Sequence, residues 1–406
     1  MKTPLSRPAC NPNLWLLDPE ITFLNHGSFG ACPRAVLEVQ QKFRARLERQ
    51  PLQFLVRDLE PLLDEMRDKL ARFVHAPAED LVLVANATTG VNTVLRSLKF
   101  RPGDELLVTD HEYNATRNAL DFVAEKSGAR VVGAKIPFPL KSEAEIIDAI
   151  LSRLTARTRL ALLDHVTSQT GLILPLARIV EELSRRGIPT QVDGAHAPGM
   201  IPLDLKKLGA TFYTGNCHKW LCAPKSAAFL YVQPDRQNEI RPLVISHGAN
   251  SSRRDRSRFQ LEFGWMGTGD PTAFLSVPTA IKFIGAQLPD GWAEVMQRNH
   301  ALAVAARKIL CDALEIESPS PDEMIGSMAA LPLPAAPARP LRKSPLFHDP
   351  LQDKLLHDHA IEVPIIPWPA WPQRCLRVSA QLYNSLPQYE KLAAALKKIL
   401  FTRKTK

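Results

Sequence analysis

Apolar runs of strand length recur along this chain with helix-length segments between them, and each run is closed by polar residues or glycine. The runs cover residues 81–85, 105–109, 130–134, 160–163 and 190–192. Strand, helix, strand repetition predicts an α/β fold with a mostly parallel sheet covered on both faces. In such sheets reactive groups gather beyond the carboxyl ends of the strands. The segments that matter are therefore 86–90, 110–115, 165–171, 193–196 and 216–219, all of which carry polar residues or glycine.

The character changes near residue 285. A helical stretch over 292–314, a proline-rich stretch over 319–345 and short strands at 361–367 and 376–378 predict a smaller α+β domain. A chain of 406 residues is too long for one ordinary core, so three parts are expected: an N-terminal segment (1–25) that contributes to the small domain, a large domain (26–285) and a small C-terminal domain (286–406). Pro332, Pro334, Pro337 and Pro340 suit either a linker or loops and edge strands within one domain. Residues 397–406 read as the last turn of a helix with a frayed end.

Composition excludes several classes. With 45% hydrophobic and 23% charged residues the chain is expected to fold rather than stay disordered. Residues 1–24 hold no apolar segment of signal-peptide type and no later run is long enough to span a bilayer, which predicts a cytoplasmic protein without a membrane partner. Cys10, Cys32, Cys217, Cys222, Cys311 and Cys375 are scattered, with no C-x-x-C pair and no His/Cys cluster, so reduced thiols and no metal site are expected. The net charge of +9 lacks an aromatic-interleaved basic patch or a base-reading motif, so no nucleic-acid partner is expected. The basic cluster at 253–258 reads as solvated surface, with a site entrance or a subunit contact as the other uses.

Two residues set the chemistry. Lys219 stands in Thr-Gly-Asn-Cys-His-Lys-Trp after the strand-like 210–213, and Asp193 stands twenty-six residues earlier in Asp-Gly-Ala-His-Ala at another strand end. A buried lysine forms and exchanges imines, and an aspartate at that place keeps a pyridine nitrogen protonated; together they are what pyridoxal 5′-phosphate (PLP) needs. Opposite charges about 4 Å apart interact by roughly 4 kcal/mol at an effective dielectric near 20, enough to hold that proton. Taken alone, Asp193 also suits a turn-capping aspartate; paired with Lys219 at this spacing it reads as the cofactor's acid. Ala87-Thr88-Thr89-Gly90, ahead of a helix over 91–98, offers hydroxyls and amides to a phosphate, though threonine is also an ordinary N-cap. Tyr113 can lie flat on a cofactor ring or simply fill space. His196 and His218 are either cofactor contacts or structural histidines, His218 having the stronger claim beside the lysine.

These segments, with Phe-Leu-Asn-His-Gly-Ser-Phe-Gly at 23–30 and Arg-Val-Ser-Ala-Gln-Leu-Tyr-Asn at 377–384, resemble the class V aminotransferases of PLP fold type I, nearest to the isopenicillin N epimerase-like branch, over residues 20–390. The resemblance implies that Lys219 is the Schiff-base lysine and shuttles the α-proton, Asp193 binds the pyridinium, and Tyr113 stacks on the ring. It implies that Thr88, the Thr89 backbone and His218 hold the phosphate, and that Ser168 or Gln169 lies near the phenolic oxygen. Thr268 would reach the phosphate of a neighbouring subunit in a homodimer with shared sites. Arg377 would fork onto the substrate α-carboxylate, while Asn25 and His26 would line the substrate mouth.

The chain departs from the cysteine desulfurases of that family. Their catalytic cysteine rides a flexible loop, whereas Cys375 falls inside a strand-like run. Trp368 and Trp371 among prolines form either a stiff aromatic wall at the site or plain packing. The expected activity is epimerisation or racemisation, or C–S β-elimination, of a sulfur-containing amino acid. Transamination comes next, and a desulfurase or a catalytically silent PLP-fold protein after that.

Overall fold

The computed structural model describes residues 4–336 and 349–401. Pro337, Pro340, the end of the proline-rich stretch and residues 402–406 lie outside the described residues. Twelve strands are present among them: β1 Thr22–Phe23, β2 Leu81–Val84, β3 Glu105–Thr109, β4 Arg130–Ala134, β5 Thr158–Asp164, β6 Thr190–Asp193, β7 Phe212–Asn216, β8 Ala228–Val232, β9 Met328–Leu333, β10 Ile361–Glu362, β11 Ile365–Pro367 and β12 Arg374–Ser379.

The main sheet has the order β2-β8-β7-β6-β5-β3-β4. Its β4, β3, β5, β6 and β7 run parallel, and β8 is inserted antiparallel between β7 and β2. The unbroken apolar runs follow from burial on both faces. Leu81, Leu83, Ala161, Leu163 and Val192 join one core with the helix Leu59–Val74. Their neighbours Val82, Val84, Leu160 and Leu162 join another with the helices Ala87–Ser97 and Asn114–Ser127. Successive side chains of a strand point to opposite faces, so each strand supplies both cores. The same alternation puts Asp164 and Asp193 on the face of the second core.

A second sheet, β11-β12-β9, is antiparallel and packs on the helices Gly291–Leu314 and Leu386–Phe401. β9 is an edge strand, which is how Pro332 is accommodated. The N-terminal β1 pairs in parallel with β10, tying the chain start to this region.

Three differences from the sequence reading are physical. The helix begins at Ala87, so Thr88 and Thr89 lie in its first turn instead of before it. The strand leading to Lys219 is shifted to Phe212–Asn216 because Gly215 and Asn216 keep pairing with β8. β8, whose Ala-Phe-Leu-Tyr-Val run has both faces buried, gave no period to read.

Candidate active site

Lys219 follows β7 on a turn held from the N-terminal segment. Gly30 (φ 69°) packs so closely there that a Cβ would sit 2.1 Å from the His218 carbonyl oxygen. His26 is fully buried behind the lysine: its Nε2–H donates to the Lys219 carbonyl (3.1 Å) and its Nδ1 accepts from the Tyr383 hydroxyl (2.8 Å). Burial pushes His26 down to about 3. His26 thus braces the lysine turn.

The Lys219 amine is brought down to about 7, first by burial and then by the Arg377 guanidinium, against the opposing pull of Asp193 and Asp164. Its Nζ lies 3.0 Å from His196 Nε2. On the far side of that ring Trp220 Nε1 donates to Nδ1 at 3.4 Å, which leaves the hydrogen on Nε2, facing the lysine. Burial, and then the Lys219 charge, hold His196 well below the usual histidine range. His196 therefore donates to Lys219 as a free amine. His218 Nδ1 donates to the Ala227 carbonyl (3.2 Å), and its value falls to about 4, chiefly through burial. Its bare Nε2 meets an anion only when protonated, a form that an adjacent dianion favours.

Asp193, at the end of β6, is buried and accepts hydrogen bonds from the Ala195 amide (3.0 Å) and the Thr116 hydroxyl (3.0 Å). It is not alone. Glu112, Asp164 and Asp193 are all buried, and one carboxylate oxygen of each lies within 4.8 Å of the others. Two charges that close repel by roughly 3–4 kcal/mol at an effective dielectric near 20. Burial, with the neighbouring carboxylates next, pushes Glu112 and Asp164 well above the usual carboxylate range, while burial alone raises Asp193.

The helix Ala87–Ser97 packs on β6 and β7. Gly90 lets it approach β7, since a Cβ there would fall 2.2 Å from Thr214 Oγ1. Asn216 Oδ1 accepts from the Ala87 amide (2.8 Å), and Asn86 Oδ1 accepts from the Thr89 amide (2.8 Å) and hydroxyl (3.0 Å). Among the described residues, no hydrogen bond engages the Thr88 side chain, so its hydroxyl is available at the helix N-terminus.

Arg377, in the central strand of the small sheet, is buried. Its Nη1 donates to the Ser168 carbonyl (2.5 Å) and its Nη2 to Ser28 Oγ (2.8 Å), leaving Nε buried and without a partner. Ser28 Oγ donates in turn to Asn25 Oδ1 (2.5 Å), and Asn25 Nδ2 reaches Glu362 Oε1 (3.4 Å). Asn25 is thus joined to Arg377 through Ser28. Gln169 donates to the Glu112 carbonyl (3.2 Å) and keeps its Oε1 buried and unpartnered. Tyr113, the N-cap of Asn114–Ser127, is 41% exposed and lies close enough to Arg377 to act on its charge. Thr268 stands apart from these groups, on an exposed loop whose Asp270 pairs with Arg44 (2.9 Å).

The family described as Aminotransferase class-V matches residues 28–336. Isopenicillin N epimerase from Streptomyces clavuligerus is 36% identical over 394 residues, covering 94% of this chain and 95% of that protein. The chain belongs to the class-V aminotransferase family. A probable chloroplastic L-cysteine desulfhydrase from Arabidopsis thaliana is 32% identical, covering 93% of this chain and 83% of that protein. Among solved structures, the cystine C–S lyase C-DES in complex with cysteine persulfide aligns with a TM-score of 0.76 at 22% identity, covering 93% of this chain and 98% of that one. The cysteine desulfurase CsdA from Escherichia coli aligns at 0.74 and 22%, covering 95% and 96%. This member of the class-V aminotransferase family therefore has the α/β fold of PLP-dependent fold type I and is a PLP-dependent enzyme.

The residues present fit that cofactor. They supply a half-buried amine near neutrality, a hydrogen-bonded acid at a strand end, a helix N-terminus with a spare hydroxyl, and a guanidinium with an unused N–H. Sequence reasoning passed over Ser28, Glu112 and Asp164. Ser28 and Glu112 stand inside segments already singled out, and Asp164 closes an apolar run just as Asp193 does. Trp368 is taken up by packing edge-on against His111 (4.5 Å) and Phe138 (5.3 Å), and Trp371 lines a separate surface cavity with Arg374 and Lys398.

Proposed function

We propose that the enzyme catalyses C–S β-elimination from an α-amino acid carrying sulfur on its β-carbon, with Lys219 as the base that takes the α-proton. The observation that carries this reading is the contrast, among the described residues of the site, between Lys219 at about 7 and His26, His196 and His218, each with a ring nitrogen engaged and held below the usual histidine range. An elimination needs one base and a leaving group; an epimerisation needs acid–base groups on both faces of the α-carbon.

Bound PLP supplies the sink for the electrons released when the α-hydrogen leaves. Lys219 holds the cofactor and then the abstracted proton, which it can return to the departing sulfur. Asp193 keeps the pyridine nitrogen protonated, with Ala195 and Thr116 fixing its carboxylate. Thr88 and His218 would receive the phosphate, joined by the Thr89 amide only if it leaves Asn86 Oδ1, while Tyr113 would cover the ring and Ser168, Gln169 and His196 would flank it. Arg377 takes the substrate α-carboxylate, its orientation fixed by Ser28 and Ser168. The L-cysteine desulfhydrase relatives support this outcome.

Epimerisation is the second reading. It is favoured by the Tyr113 phenol, exposed and near Arg377, and by the isopenicillin N epimerase relatives. A desulfurase role fits poorly, because Cys375 is buried in β12 with its thiol pushed up to about 12. Incubation of the PLP-loaded protein in heavy water with S-substituted cysteines, read by mass spectrometry, separates the readings. Pyruvate, ammonia and a free thiol are expected; deuterium on the α-carbon of an intact, inverted amino acid would establish epimerisation instead.

We place the enzyme in a homodimer with shared sites. Exposed Leu52, Val56, Leu243, Val244 and Ile245 support a subunit interface, and the exposed Thr268 loop is available to a partner. Six free cysteines support a reducing compartment such as the cytoplasm. Among the described residues no helix is long and apolar enough to cross a membrane.

A further inference from the structure

We infer that Glu112 and Asp164 are protonated partners of Asp193, so that three buried carboxyls at the strand ends share two protons and one negative charge, and thereby set how firmly the pyridine nitrogen keeps its proton. The inference rests on the reading of Asp193 as the pyridinium partner; it is independent of whether the reaction is elimination or epimerisation.

The geometry begins with the sheet. Asp164 and Asp193 are register partners on parallel β5 and β6 and project to the same face. Glu112 arrives on the segment after β3, and one oxygen of each residue lies within 4.8 Å of the other two. All three side chains are nearly inaccessible, at 6%, 2% and 3% exposure for Glu112, Asp164 and Asp193. Three full charges in that space have no solvent to separate them.

Hydrogen-bond donors decide where the single charge resides. Asp193 has two, the Ala195 amide and the Thr116 hydroxyl. Glu112 has one, the Tyr113 amide at 3.2 Å. Asp164 Oδ2 and Glu112 Oε2 are buried with no partner at all. A carboxylate with two donors stays ionised, whereas an oxygen with none keeps its proton. The charged groups that act on the trio are Lys219, on Asp164 and Asp193, and Arg117, on Glu112; the Tyr213 phenol senses Asp193 and is held by His165 at 2.9 Å.

Asp164 and Glu112 are therefore positioning residues that act through Asp193. As neutral acids they set two carboxyl dipoles, in place of two further charges, within 4.8 Å of the Asp193 carboxylate, which leaves Asp193 as the one charge that holds the pyridine proton. Substituting either acid changes the field on that charge.

Infrared spectroscopy of the full chain at pH 7, with and without PLP and in light and heavy water, counts protonated carboxyls directly. The wild type is expected to show a deuterium-sensitive protonated-carboxyl band that falls by about half in Asp164→Asn or in Glu112→Gln and vanishes in the double variant. Asp193→Asn is expected to keep a protonated band but to lose one titrating group. Wild-type protein without the band, or a band untouched by both substitutions, would overturn the proposal. So would a band that divalent cations abolish in the wild type, because the trio would then be a cation site. A pH titration of the bound cofactor's absorption adds the second reading: its midpoint shifts in Asp164→Asn if the residue tunes Asp193, and stays at the wild-type value if Asp164 is only structural. The band is read without turnover, so failure of the proposed reaction leaves the count intact.

Discussion

With burial and the Arg377 charge bringing Lys219 to about 7, about half of the amine is free base at neutral pH, whereas an ordinary lysine is almost wholly ammonium. The amine attacks an aldehyde only as free base. Capture of pyridoxal by the cofactor-free protein should therefore be level above about pH 7 and fall roughly tenfold per pH unit below it. Stopped-flow absorbance checks this, and a midpoint near 10 would remove the argument from burial. Lys219→Ala should abolish turnover and the absorption of the lysine-bound cofactor with the fold retained. At Arg377 the interaction is geometric. Replacement by Lys leaves Ser28 and Ser168 without their donors and gives the α-carboxylate a point charge in place of a fork, so KM should rise about 10- to 100-fold with a smaller change in kcat. Ser28→Ala, which removes one support of Arg377, should raise KM by a few fold, as expected for about 1 kcal/mol of lost hydrogen bonding. Unchanged steady-state kinetics in both variants would place the substrate carboxylate elsewhere.

Elements bring these residues together by close packing. The helix Ala87–Ser97 reaches β7 only because Gly90 has no side chain, and the Asn216 link to Ala87 depends on that approach. Gly90→Ala should cost about 1–3 kcal/mol of stability, as overpacking does, and should weaken PLP binding by moving the helix N-terminus. Denaturant midpoints and cofactor titration measure the two effects; tight PLP binding with lowered stability would mean that the phosphate is not held there. Much of this arrangement was legible in the sequence. Alternating runs closed by polar residues marked β2 to β6 within a residue or two of their observed bounds, because a strand buried on both faces reads as an unbroken apolar run. The antiparallel β8 has the same apolar character but is followed by no site motif, so nothing distinguished it. The bracing contacts of His26 and Asn25 were likewise not legible: a motif names the residue, but the partners of its side chain lie across 193 positions in one case and 3 in the other.

At the scale of the whole molecule, charge that looked like a possible entrance proves to be internal bracing. Arg253 pairs with Glu60 (2.8 Å) and Asp255 (2.6 Å), and Arg256 with Asp64 (2.5 Å) and Glu60 (3.0 Å), so the cluster staples its loop to the helix Leu59–Val74. Such half-exposed pairs contribute little each, and Arg253→Ala should leave KM unchanged and barely move the denaturant midpoint. The exposed apolar side chains and the detached Thr268 are instead what the proposed homodimer would use. If Thr268 serves the partner's phosphate, two defective chains can repair each other. Homodimers of Lys219→Ala have no base, and homodimers of Thr268→Ala should bind PLP roughly tenfold more weakly through the loss of one charge-assisted hydrogen bond per site. In a mixed dimer the chain with intact Lys219 receives Thr268 from its Lys219→Ala partner, so one complete site forms. Co-expressed, differentially tagged chains purified as heterodimers should therefore regain wild-type PLP affinity at half of the sites. Affinity that stays at the Thr268→Ala level would show that Thr268 acts within its own chain or on no phosphate, and a chain that sediments as a monomer would remove the shared site altogether.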